Sequence, residues 1–160
     1  MKERREDGRR KVSVRYDRRK FNRRGKVFYY ERKIHLGDTQ VMGGSVYYAQ
    51  YWYLIGEARE EYLQFFLGNN FGKFMTSGVN LVTVDVEGKY KYPLFAYDEA
   101  TVTVKTIKLT RAKFVLKMEI IKSNGEKSFS CLMTIAAFKD KIIKLPDELF
   151  EPLSKLLTDD

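Results

Sequence analysis

The sequence predicts an α+β domain in which an antiparallel sheet wraps around one long central helix, with a short helix near the C-terminus. Three observations predict it. One segment, Tyr48–Leu67, carries Tyr51, Ile55, Ala58, Tyr62 and Phe66 at helical spacing. Several later segments are β-branched or alternate in the manner of strands. The stretches between those strands are mostly short, and short links join antiparallel neighbours rather than parallel ones.

The elements follow in order. Val27–Leu36 (VFYYERKIHL) is aromatic and β-branched, a first strand. Gly37–Ser45 holds three glycines and reads as a turn. The helix then runs from about Tyr48 to Leu67 and stops at Gly68-Asn69-Asn70, residues suited to a helix C-terminus. Val79–Val86 is a strand ending at Glu87-Gly88. Ala100–Leu109 and Lys113–Ile121 alternate, and Ser123-Asn124-Gly125-Glu126 turns the chain into the return strand Lys127–Phe138. Leu145-Pro146-Asp147-Glu148 opens the last helix, with proline early and acids in the first turn. A sheet around a single helix is the hotdog arrangement. Its open edge invites a second copy, so a homodimer or homotetramer is expected.

Charge divides the chain in two. Residues 1–26 hold 13 of the 30 Lys/Arg and 4 of the 21 Asp/Glu, so the whole net charge of +9 lies there. Residues 27–160 are neutral and form the domain; 1–26 are expected to be a flexible basic extension. Nucleic acid is therefore not expected as the main partner, although the extension could meet polyanions or steer an acidic protein. No apolar run is long enough to span a membrane. The N-terminus lacks an apolar leader, and Cys131 is the only cysteine, so a cytoplasmic location is expected.

Elimination narrows the chemistry. His35 is the only histidine, so no usual zinc site is expected, and no Ser-His-Asp motif surrounds it. No phosphate-binding glycine motif is present, and no cofactor is expected. Cys131 sits in an alternating strand as a buried thiol would. What remains is a glycine-bearing turn that feeds a helix start. There, unpaired N–H groups and the positive end of the helix dipole can meet a carbonyl oxygen as it gains charge. An ordinary turn before a core helix would look the same.

The residues Gly37-Asp38-Thr39-Gln40-Val41-Met42-Gly43-Gly44-Ser45-Val46-Tyr47-Tyr48-Ala49-Gln50-Tyr51, continued by Glu57-Ala58-Arg59-Glu60-Glu61-Tyr62-Leu63, resemble the signature of the 4-hydroxybenzoyl-CoA thioesterase-like hotdog family. Leu81-Val82-Thr83-Val84-Asp85, Phe95-Ala96-Tyr97-Asp98-Glu99 and Leu145-Pro146-Asp147-Glu148-Leu149 are most similar to the branch that serves enediyne polyketide synthases. The resemblance covers roughly residues 28–153. It implies hydrolysis of an acyl thioester of acyl carrier protein or coenzyme A.

The resemblance also implies site residues. Most members carry an acid at the position of Gln40, and the enediyne branch carries Asn; an amide cannot be a general base but can orient water or donate to a carbonyl. Matching positions make Arg59 and Tyr51 catalytic, and Thr83 a pocket residue. Glu57 lies where another branch has a catalytic carboxylate on the helix. Gly43, Gly44, Ser45, Val46 and Tyr47 would bind substrate. Structural roles stand beside these: a salt bridge from Arg59 to Glu31 or Asp85, a core position for Tyr51, a capping role for Gln40. A non-hydrolytic acyl-binding protein is the alternative function.

Overall fold

The computed structural model describes residues 26–39 and 44–159. Residues 1–25 of the basic extension, together with Gln40 and Gly43, lie outside the described residues. In chain order the elements are β1 (Phe28–Lys33), a 3-10 turn (Leu36–Asp38), α1 (Tyr48–Leu67), a second 3-10 turn (Gly68–Asn70), α2 (Phe71–Thr76), β2 (Asn80–Tyr90), β3 (Glu99–Leu109), β4 (Lys113–Lys122), β5 (Lys127–Lys139), β6 (Lys141–Ile143) and α3 (Asp147–Leu156). The strands form one antiparallel sheet in the order β1-β3-β4-β5-β2, with β6 paired to the end of β5.

The alternation seen in the sequence builds the inner face. Val102 and Val104 of β3, Phe114, Leu116, Met118 and Ile120 of β4, and Phe129 and Ile135 of β5 are all fully buried. Against them α1 sets Tyr51, Leu54, Ile55, Ala58, Tyr62, Leu63 and Leu67. The helix thus buries a wider stripe than the expected five positions, and Phe66 lies at its half-buried margin. Such a width follows from a sheet that curls around both flanks of the helix. The only polar side chains buried to that depth are Thr106 and Ser128 among the described residues, and Thr106 shares a 2.9 Å hydrogen bond with the Tyr62 hydroxyl. Burial pushes the Tyr62 hydroxyl up to about 12 and the Cys131 thiol up to about 12, so that thiol stays protonated as a core group.

Three elements differ from the sequence reading. β2 does not end at Glu87-Gly88 but continues to Tyr90. Gly88 is a packing residue there: a Cβ on it would meet the Trp52 ring at 2.6 Å and the Phe129 ring at 2.7 Å. Its glycine lets the helix and the strand close together rather than turning the chain. α2 and β6 are further elements, too short to announce themselves by periodicity. α3 forms where expected and buries Leu149 and Leu153. None of the described helices is long and apolar enough to cross a membrane.

Candidate active site

Helix α1 carries polar side chains to two flanks. On the β1 flank, Glu57 accepts hydrogen bonds from the Tyr30 hydroxyl at 3.1 Å and from Arg32 Nη1 at 3.0 and 3.1 Å. Arg32 Nη2 reaches Asp38 Oδ1 at 3.3 Å. The other Asp38 oxygen accepts the His35 backbone N–H at 2.9 Å. Arg32 therefore ties a strand, the turn and the helix together. Partial burial, together with the negative charge of Glu57, pushes the Tyr30 hydroxyl up to about 12.

The β2 flank is built differently. Arg59 Nη1 donates to Thr83 Oγ1 at 3.2 Å and lies 4.0 Å from Met133 Sδ. Its ion-pair contact among the described residues is Glu60 at 3.9 Å, rather than Glu31 or Asp85. Arg59 Nε is buried and, among the described residues, has no hydrogen-bond partner. A desolvated N–H left without an acceptor costs stability unless something else supplies one. Around these residues opens a cavity of about 440 Å³, lined by Arg59, Glu57, Leu63, Leu67, Phe74 and Leu81 among others.

The glycine turn is held by backbone bonds. The Val46 N–H donates to Leu94 O at 2.8 Å, the Tyr47 N–H to Asp38 O at 3.2 Å, and the Ala96 N–H to Gly44 O at 3.3 Å. Gly44 has φ +69°, a conformation that favours glycine. Ser45 forms a bridge to Phe95. Val46 and Tyr47 thus use their amides to build the turn. The Tyr47 side chain does not cap the helix. Tyr51 is a core residue by position, 4% exposed, and its hydroxyl accepts the Leu94 N–H at 2.9 Å. It steadies Leu94, which in turn holds Val46.

The structure therefore brings Arg59 and Thr83 into contact; Glu57 lines the same cavity with its carboxylate held by Tyr30 and Arg32, and Tyr51 is tied to the glycine turn through Leu94. Glu57 faces β1 while Arg59 faces β2. The helix start lies about 16 Å from Arg59 along the axis, at 1.5 Å per residue. No single thioester carbonyl in one chain can touch both. Sequence reasoning missed Tyr30 and Arg32. The alternation of β1 places both on its inner face, which was the available signal. Among the described residues no cluster of His, Cys, Asp and Glu is arranged to hold a metal.

Residues 34–153, from the end of β1 through most of α3, match the sequence profile of the thioesterase-like superfamily. The chain belongs to that superfamily. A thioesterase-like protein with this fold has relatives in sequence and in structure. One, from Aquifex aeolicus (strain VF5) and provisionally named an esterase, is 26% identical over 126 residues, which is 79% of this chain and 97% of that protein. The 1,4-dihydroxy-2-naphthoyl-CoA thioesterase of Synechocystis superposes with a TM-score of 0.72 at 21% identity, covering 81% of this chain and 97% of that one. The dynemicin thioesterase superposes at 0.74 with 19% identity, covering 84% and 99%. These neighbours share the hotdog arrangement expected from the sequence.

Proposed function

We propose that this thioesterase-like protein hydrolyses acyl thioesters, of a polyketide-type or other acyl chain on acyl carrier protein or coenzyme A, in the cytoplasm and as a homodimer. The observation that carries the proposal is the Arg59–Thr83 pair, with a buried donor still unused, beside the open β2 edge. In hydrolysis the carbonyl oxygen becomes an oxyanion, and donors fixed before the reaction stabilise that charge more than they stabilise the substrate. Arg59 is such a donor. Thr83 holds its guanidinium in place.

The direction of β2 supports the dimer. Thr83 lies beside the middle of α1, while the Tyr90 hydroxyl donates to Tyr48 O at the helix start. β2 is a sheet edge, and Val84, Val86 and Tyr90 on it are exposed. Two such edges paired antiparallel about a two-fold axis near Val86 would set Thr83 opposite the partner subunit's Tyr90. Arg59 of one chain would then face the helix start and glycine turn of the other. Gln40, whose role comes from the sequence resemblance alone, would orient the attacking water, and Gly43, Gly44, Ser45, Val46 and Tyr47 would shape the approach. Tyr51 acts from behind, through Leu94. Glu57 is an anchor for Arg32, or the base that Gln40 cannot be.

Incubation with a panel of carrier-protein and coenzyme A thioesters, with products read by mass spectrometry, tests this. Free acid from wild type and none above background from Arg59→Ala supports it; equal turnover by the variant removes Arg59 from the mechanism. A second reading, a non-hydrolytic acyl binder, is favoured by the amide at Gln40. It requires bound thioester with no free acid over hours.

A further inference from the structure

The chain engages the nitrogens of Arg59 unequally. Nη1 is taken: it donates to Thr83 Oγ1 at 3.2 Å and lies 4.0 Å from Met133 Sδ. Nε and Nη2 form the other edge of the guanidinium, where two N–H bonds point the same way. Among the described residues Nε has no hydrogen-bond partner. Nη2 has Glu60 Oε1 at 3.9 Å, beyond hydrogen-bond length. Successive positions on a helix do not face each other, and the Glu60 side chain is 76% exposed. Glu60 therefore brings a negative charge near this edge without bonding to it. Both residues line the cavity, so the edge lies on its side of the guanidinium.

Two parallel N–H bonds on a planar cation match the two oxygens of a carboxylate. A thioester offers one carbonyl oxygen and no charge. Hydrolysis changes that. Water adds to the carbonyl carbon, the carbon–sulfur bond breaks, and the sulfur leaves as a thiol with one of the water's protons. The acid gives the other proton to solvent at neutral pH. The product thus carries the charge and the second oxygen that the substrate lacks. The other carboxylates of the lining are engaged: Glu57 is held by Arg32 and Tyr30, and Glu61 has an interaction of its own. Glu60 is left as the competitor for Arg59, and its exposure makes it a weak one.

We propose that the Nε–Nη2 edge of Arg59 is a carboxylate-binding site, and that the free acid formed by the protein occupies it and inhibits further turnover. The site stands on the geometry of Arg59. That its ligand is the product rests on the hydrolytic reading above.

Calorimetry on the full chain with butanoate, octanoate and dodecanoate, each against the alcohol of equal length, measures the site. The best-bound acid should bind about tenfold tighter than its alcohol, the margin of a charge-assisted pair over a neutral hydrogen bond. Arg59→Lys keeps the charge but not the fork, so it should weaken the acid about tenfold and leave the alcohol unchanged. Glu60→Gln removes the competitor and should tighten the acid about threefold. The same acid should inhibit hydrolysis of its coenzyme A thioester competitively. Equal binding of acid and alcohol by wild type, or undiminished acid binding by Arg59→Lys, overturns the carboxylate site and leaves the hydrolytic reading in place if free acid is still formed. Acid binding that Arg59→Lys weakens, with no thioester hydrolysed, overturns the hydrolytic reading and leaves the site. Acid that binds a working enzyme without competing with the thioester overturns the proposed inhibition, because it then sits away from the reacting carbonyl.

Discussion

The two flanks of α1 carry an arginine each, and the two are treated in opposite ways. Arg32 on the β1 side lies between two carboxylates, Asp38 and Glu57, and Tyr30 adds a further hydrogen bond to Glu57. Arg59 on the β2 side meets a hydroxyl, a thioether sulfur and, at 3.9 Å, the exposed Glu60 carboxylate, and among the described residues its Nε has no partner. The first arrangement has its charge compensated within the chain. It can lock the turn against the helix, but it offers little attraction to a new anion. The second leaves a partly buried cation short of acceptors, which costs folding energy and leaves capacity for an oxyanion. On the proposed function, the arginine short of acceptors is the one that acts on the substrate.

The largest effect expected from this contrast is on catalysis. Arg59→Ala should lower kcat/KM by about 10²–10³-fold, the usual loss for one oxyanion donor. Its thermal midpoint should stay unchanged or rise slightly, because an unpaired buried N–H is removed. Arg32→Ala should show the reverse balance. It should lose stability of about 1 kcal/mol, modest because Glu57 is substantially exposed, with a smaller loss of kcat. Parallel activity assays and thermal melts check both, and matching profiles for the two variants would break the comparison.

Glu57→Gln sharpens it further. As an anchor for Arg32, Glu57 should tolerate the amide with a loss of kcat of no more than about tenfold, below the usual worth of a general base. A loss as large as that of Arg59→Ala, with a changed pH–rate profile, assigns it the base. Thr83→Val comes next, with a loss of about fivefold in kcat/KM, because it frees the guanidinium without removing it.

The smallest effect is in alkali. Tyr30 and Tyr62 both have hydroxyls raised from 10 to about 12. Folding therefore favours their protonated forms. The stability they contribute is complete below pH 10 and is lost as pH rises through about 12. Denaturant melts between pH 8 and 12 should show that decline, and it should be shallower in Tyr62→Phe; an unchanged slope would remove Tyr62 as its source.

Much of the fold was legible because burial repeats along the chain. Period-two residues in β3, β4 and β5 and the helical stripe of α1 state which side is inside. Gly88 was misread because a glycine that admits a neighbouring ring looks, in one dimension, like a glycine that ends a strand. α2 was missed because six residues cannot display a helical period. At the site, the resemblance picked out Arg59 and Thr83, and their 3.2 Å contact brings together residues that the chain separates by 24 positions. It also grouped Arg59 with Glu57, Tyr51 and the glycine turn.

That last grouping shows where the sequence stops. By itself it determined an α+β hotdog domain, its family, a neutral body with a basic extension, and a short roster of polar residues on one helix and one turn. Only the tertiary structure decided which flank each residue faces. Two positions apart on a helix lie on opposite sides, and eleven positions lie about 16 Å apart. Sequence spacing names neighbours along the helix, but the strands packed on either side decide which arginine is neutralised and which keeps an unused donor.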